Sequence, residues 1–257
     1  MNGAEKVRLE VNGGAATLSI CRPEAKNALS REIVDQMDAL LDQVAADPAI
    51  KVLVVKSEGD FAAGADIRQM AECTPEQAKD FVFTATYEKL ASLPIPTLAA
   101  MEGYALGGGL ELALACDLRL ASSSAKLGLP EITLGIMPGA GGTVRLACLV
   151  GPARAKEMIF MGRPVDAERA LQWGLVNAVV PAEEFETEVA KWTQRVLRQS
   201  RVAMTTAKAA VDGGLLLEPG AALARETLLW AGLFDSYDQK EGMRAFLEKR
   251  KPVFEDR

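Results

Sequence analysis

The sequence predicts an α/β fold, with parallel strands joined by crossover helices and followed by a helical C-terminal region. Three observations predict it. Short β-type runs alternate with helically spaced apolar residues over the first half of the chain. Small-residue, glycine-bearing segments at 61–67 and 103–109 each turn a strand into a helix. After about Val180 the strand signal stops and four helical segments follow.

Taken in order, residues 15–21 (ATLSIC within them) form a strand, and 22–30 a loop with Pro23 and Asn27. Ser30 is placed to cap the next helix, because its hydroxyl satisfies an orphan amide. Ile33, Met37, Leu40, Leu41 and Val44 recur at helical spacing, and Asp47-Pro48 ends that helix. KVLVVK (51–56) is a buried strand and 58–64 a loop. One long helix is predicted over 75–93, with Ala78, Phe81, Val82, Ala85 and Leu90 inward, before Pro94 and Pro96 break it. Residues 97–101 are a strand, 110–116 a short buried helix and 117–121 another strand. Helices are expected over 181–199, 202–211, 219–234 and 240–251, punctuated by Asp212-Gly213-Gly214 and Pro219-Gly220. The division is a core of residues 1–195 and a helical region of residues 196–257. Leu228, Leu229, Trp230, Leu233 and Phe234 give that region more apolar surface than a thin extension buries alone, so it packs on the core or on a neighbouring subunit.

The 257 residues carry 29 basic and 35 acidic side chains, a net charge of −6 that argues against a broad nucleic-acid footprint. There is no histidine. Histidine-based triads, zinc sites and general bases are therefore excluded, leaving acid–base work to Glu, Asp, Lys, Tyr, Cys or backbone amides. Cys21, Cys73, Cys116 and Cys148 fit neither a zinc site nor a disulfide framework, which suits a reducing, cytoplasmic setting. Charges interrupt the N-terminus where a signal peptide needs an apolar run, and no apolar stretch is long enough for a membrane span.

GYALGGGLELALACD (103–117) runs three glycines into an apolar helix. The unpaired first amides of such a helix make an anion or oxyanion site, with Gly108 as the donor. Glu111 is the one charged member of that helix. In FAAGADI (61–67) the Ala65 amide is a donor at a helix start, and Asp66 is a cap. Two such loops could aim two amides at one oxygen, each contributing roughly 3–4 kcal/mol to a transition state. In LGLPEITLGIMPGAGGT (127–143), Glu131 follows a proline in an apolar stretch, where burial raises a carboxyl pKa and suits a proton donor. Tight packing, an ordinary turn and structural or surface carboxylates remain open for these residues, taken one at a time. Together, Glu111 and Glu131 are the natural acid–base pair of a chain without histidine. Asp117 and Arg119 are read as structural, with an ion pair between them as one form of that role; Cys116, Trp173, Trp230, Tyr87 and Tyr104 are read as packing.

These segments, with RPEAKNALS (22–30), GRPVDAERALQWGLVN (162–177) and EGMRAFLEKRK (241–251), resemble the enoyl-CoA hydratase/isomerase (crotonase) superfamily along nearly the whole chain. The resemblance implies a spiral of ββα units with a C-terminal helical oligomerisation region, assembled as a homotrimer or a hexamer of two trimers. It implies an acyl-CoA thioester substrate, its thioester oxygen held by the Ala65 and Gly108 amides. Glu111 and Glu131 are implied as catalytic and the Gly139 amide as holding the water. Ala25, Lys26, Ala63, Asp66 and Ile67 are implied to bind CoA, with Phe246 and Lys249 reaching its nucleotide part, commonly across a subunit interface. Family hydratases have both glutamates and many isomerases only the second, so the double match implies hydration of a trans-2-enoyl-CoA, a step of fatty-acid β-oxidation. No metal or redox cofactor is implied, coenzyme A being part of the substrate, and neither a membrane nor a nucleic acid is a partner. The alternatives are an isomerase, a hydratase of a cyclic or aromatic-pathway enoyl-CoA, or, from another class, a non-catalytic CoA- or RNA-binding member.

Overall fold

The computed structural model describes residues 6–81 and 83–257. Along the chain run β1 (Val7–Asn12), β2 (Ala15–Ile20), α1 (Arg31–Ala46), β3 (Val52–Ser57), α2 (Ile67–Met70), α3 (Pro75–Phe81) and α4 (Thr84–Ala91). There follow β4 (Thr97–Met101), β5 (Tyr104–Leu106), α5 (Gly108–Leu114), β6 (Leu118–Ser122) and β7 (Lys126–Gly128). Then come α6 (Gly142–Val150), α7 (Pro152–Met161), β8 (Val165–Asp166), α8 (Ala167–Trp173) and β9 (Ala178–Val180). The chain ends in α9 (Phe185–Leu197), α10 (Arg201–Gly214), α11 (Pro219–Gly232) and α12 (Tyr237–Leu247).

The larger sheet has the order β1-β2-β3-β4-β6-β9, with β1 antiparallel to β2 and each later neighbour parallel. Parallel pairing needs crossovers, and the helices between these strands supply them. The continuous apolar run of β3 is what a strand covered on both faces requires: Val52, Leu53, Val54 and Val55 are all buried. A smaller sheet, β5-β7-β8, lies beside the start of α5. Ser30 caps α1 as expected, accepting from the Ile33 N–H, and Ile33, Val34, Met37, Leu41 and Val44 face the main core. On the other face of the large sheet, Phe185 and Val189 of α9 pack on Val54, Leu98 and Leu120. α9 straddles position 195, and α10 to α12 follow it.

The structure corrects several expectations. β1 is an edge strand whose charges alternate with its apolar residues, which hid it. The single helix over 75–93 is two helices. Phe83 leaves the helical region and is buried against Phe81 and Tyr87, so α4 turns Thr86, Tyr87 and Leu90 inward while Ala85 faces out. Val82 lies outside the described residues. Gly213 and Gly214 continue α10 instead of ending it; a Cβ on Gly213 would lie 2.9 Å from Arg225 Nε of α11, so glycine there allows close approach. The last helix starts earlier than expected, at Tyr237, where Ser236 caps it by accepting from the Gln239 N–H. Asp117 and Arg119 form no ion pair. Asp117 accepts from Lys208 Nζ of α10 at 2.8 Å and from the Thr97 N–H at 2.8 Å, whereas Arg119 donates to the Leu175 and Cys116 carbonyls.

The Lys208 ion pair docks the helical region on the core. The outer face of α11 stays open, with Leu228 and Trp230 exposed. The final residues fold back along α12. Buried Asp238 accepts from the Glu255 and Asp256 N–H groups, and buried Glu241 from Arg250 and the Val253 N–H. Asp256 then accepts from the Arg201 N–H at the start of α10 and pairs with Lys51.

Candidate active site

The strand-and-loop path through 61–66 places one end of the site. The Ala62 N–H donates to the Tyr104 carbonyl, and the Leu106 N–H donates back to the Ala62 carbonyl, so this segment runs beside β5. Leu29 grips the next turn from the other side: its N–H donates to the Gly64 carbonyl and its carbonyl accepts from Asp66. The Ala65 amide is thereby brought to the first turn of α5, 3.6 Å from where a Cβ on Gly108 would stand. Among the described residues neither the Ala65 nor the Gly108 N–H donates to a protein acceptor. Two free amides at the opening of a cleft form a site for a partly negative oxygen.

Gly107 precedes α5 with φ +51, a backbone region that favours glycine, and a Cβ there would lie 3.2 Å from Glu131 Oε1. Glu111, one turn into α5, is 3% exposed. Its Oε1 accepts from the Ala140 N–H at 2.7 Å and the Gly142 N–H at 2.8 Å. Gly142 opens α6, so the carboxylate also meets the positive end of that helix. A Cβ on Gly142 would fall 2.9 Å from Glu111 Oε1; glycine is the residue that lets the acid come so near.

Glu131 opens a 3-10 turn, 131–134, after Pro130. Its Oε2 is buried without a hydrogen-bond partner. Burial, and then the nearby charge of Glu111, push its carboxyl up to about 7. Burial also raises the Glu111 carboxyl, but its two N–H bonds and Arg145 pull the other way. The two carboxyls therefore stand in unlike surroundings, Glu111 with two N–H donors to its charged form and Glu131 with a buried oxygen that has none.

A cleft of about 490 Å³ joins these parts. Ala63, Ala65, Ile67, Gly108, Glu111, Glu131 and Gly139 all line it, and Met70, Phe81, Phe83 and Met137 supply apolar wall. Of the other residues singled out in the sequence, Lys26 sits beside this region, its carbonyl accepting from the Ala63 N–H and its ammonium 4.8 Å from the Tyr104 ring. Ala25 is in the adjoining 3-10 turn. Asp66 caps α2 by accepting from the Arg68 N–H and pairs with Arg22 at 3.0 Å. Phe246 and Lys249 are not brought into the cleft; they stand exposed at the end of α12. Sequence reasoning missed the Ala140 and Gly142 amides, Arg145, and the polar end of Tyr87, whose hydroxyl donates to the Gly108 carbonyl at 2.8 Å. Arg145 left one signal, as the only charged residue of α6.

A family profile described as enoyl-CoA hydratase/isomerase matches residues 10–257. A crotonyl-CoA hydratase of Syntrophomonas wolfei is 41% identical over 254 residues, spanning 97% of this chain and 98% of that one. A short-chain-enoyl-CoA hydratase of Clostridium acetobutylicum is 38% identical over 249 residues, 95% of each chain. The crystal structure of an enoyl-CoA hydratase from Bacillus anthracis superposes with a TM-score of 0.95 at 35% identity, covering 98% of this chain and all of that one (100%).

Proposed function

The chain belongs to the enoyl-CoA hydratase/isomerase family, and we propose that it adds water reversibly across the 2,3 double bond of a trans-2-enoyl-CoA, giving a 3-hydroxyacyl-CoA. The observation that carries this is the pair of unlike carboxyls lining one cleft, Glu111 held by two N–H groups and Glu131 with a buried oxygen free of partners. The Ala65 and Gly108 amides polarise the thioester carbonyl and stabilise the enolate as it develops. Water held between the glutamates, with the Gly139 amide helping to place it, attacks C3. Glu111 accepts or orients its proton, and Glu131 delivers a proton to C2; in dehydration the roles exchange.

Neither metal nor redox cofactor enters this scheme. Coenzyme A enters as part of the substrate, bound through Ala25, Lys26, Ala63, Asp66 and Ile67, with Phe246 and Lys249 of a neighbouring subunit reaching its nucleotide. That arrangement goes with a homotrimer or a pair of trimers, and the exposed Leu228 and Trp230 of α11 offer surface for contact. A cytoplasmic step of fatty-acid β-oxidation is the setting we assign, with no nucleic acid or membrane as partner. Among the described residues no helix is long and apolar enough to cross a membrane.

The test is a panel of linear and cyclic enoyl-CoAs, followed by loss of conjugated-thioester absorbance with product identification. Glu111→Gln and Glu131→Gln should each lower the hydration rate by about 10²–10⁴. Near-full hydratase activity in Glu131→Gln would remove the mechanism. Full activity in Glu111→Gln would point to a double-bond isomerase instead.

A further inference from the structure

α4 reaches the site from outside, through one face. Thr84, Tyr87 and Glu88 are spaced i, i+3 and i+4 and so lie together. The Thr84 hydroxyl donates to the Gly139 carbonyl at 3.3 Å, and the Tyr87 hydroxyl to the Gly108 carbonyl at 2.8 Å. Glu88 Oε1 accepts from Arg145 Nη2 at 2.6 Å. Arg145 stands in the first turn of α6, and its Nη1 donates to the Ala140 carbonyl at 3.1 Å. Ala140 is the residue whose own N–H holds Glu111 at 2.7 Å. One guanidinium thus ties α4 to the turn that carries the donors of the charged glutamate. A planar fork holds two such acceptors in a fixed geometry, whereas an ammonium is a point charge on a flexible stem. Arg145 does not line the cleft, so it acts through Ala140 and not on a ligand.

We propose that Arg145 is a positioning residue for the reaction, fixing the 138–142 turn so that the Ala140 and Gly142 N–H groups stay aimed at Glu111. This rests on the hydratase role, in which Glu111 must be charged to take a proton from water. The titratable groups facing Glu111 are Glu131 from the 3-10 turn, Tyr87 from α4 and Arg145 from α6. Arg145 is the positive one, so losing it moves the Glu111 carboxyl upward.

The experiment measures hydration of crotonyl-CoA by wild type, Arg145→Met and Arg145→Lys from about pH 5 to 9. In Arg145→Met, kcat should fall about ten- to a hundredfold, with KM changed less than about threefold, and the acidic limb of kcat should move to higher pH. Arg145→Lys keeps the charge without the fork, so its acidic limb stays in place while kcat falls part of the way. A wild-type kcat with an unmoved limb in Arg145→Met overturns the proposal. A lower kcat with an unmoved limb, as lost stability alone would give, overturns it too. If Arg145→Met does not fold, Arg145→Lys carries the test, and wild-type kcat in that variant overturns the role. Carbon NMR titration of the Glu111 carboxyl in wild type and Arg145→Met reads the upward shift without turnover. An inactive wild type would therefore count against the hydratase role alone, and the titration would still decide the positioning one.

Discussion

Two glutamates of identical chemistry are made unlike by what each touches. Glu111 has main-chain donors and a helix start; Glu131 has an orphaned oxygen in apolar surroundings. A consequence for stability follows. The Glu131 carboxyl at about 7 in the folded protein lies above the ordinary 4.5, so the folded state binds that proton more tightly than the unfolded chain. The associated stability is fully present below about pH 4.5 and is lost as pH rises through 7. Glu131→Gln lacks the titrating group, so its thermal midpoint should gain on wild type between about pH 5 and 8 by calorimetry; a constant gap would contradict the raised value. Glu111, Glu131, Ala65 and Gly108 were legible because an acid in an apolar run and glycines before a helix are anomalies of residue type. The donors to Glu111 were not. They are backbone groups 29 and 31 positions away, and a main-chain N–H has no signature in the sequence.

Short elements set the shape of the site. α4 exists as a separate helix because Phe83 turns inward, and that turn presents Tyr87 to α5. Tyr87→Phe keeps the packed ring and removes only the hydroxyl. It should cost about 0.5–1.5 kcal/mol in urea unfolding, and a negligible change would show that the bond to Gly108 contributes nothing net. At this scale the sequence was readable where periodicity is strong, as in α1, β3 and β4. It was not readable where a tertiary contact overrides a local pattern. Nothing in the helical spacing of 75–93 announces the turn at Phe83, and the two glycines of α10 look like a stop until Arg225 is seen against Gly213. β1 was hidden for a different reason: an edge strand exposes one face and needs charges there.

At the scale of the molecule, polar links among the described residues join the helical region to the core. Lys208 is one of them, its side chain 10% exposed and its ammonium shared between Asp117 and the Ile95 carbonyl. Lys208→Met should lower stability by about 1–3 kcal/mol in denaturant titration, because it leaves a partly buried carboxylate with fewer donors; an unchanged midpoint would mean that apolar packing alone docks α10. The fold-back of residues 253–257 along α12 has a consequence for how the parts of this protein hold together. Removing residues 253–257 would strip Asp238 of its main-chain donors, take one from Glu241, and release Lys51 and the start of α10 together. A variant lacking residues 253–257 should melt at a lower temperature than the protein that has them. Residues 253–257 act as a latch on three separate parts of the fold, not as a loose thread.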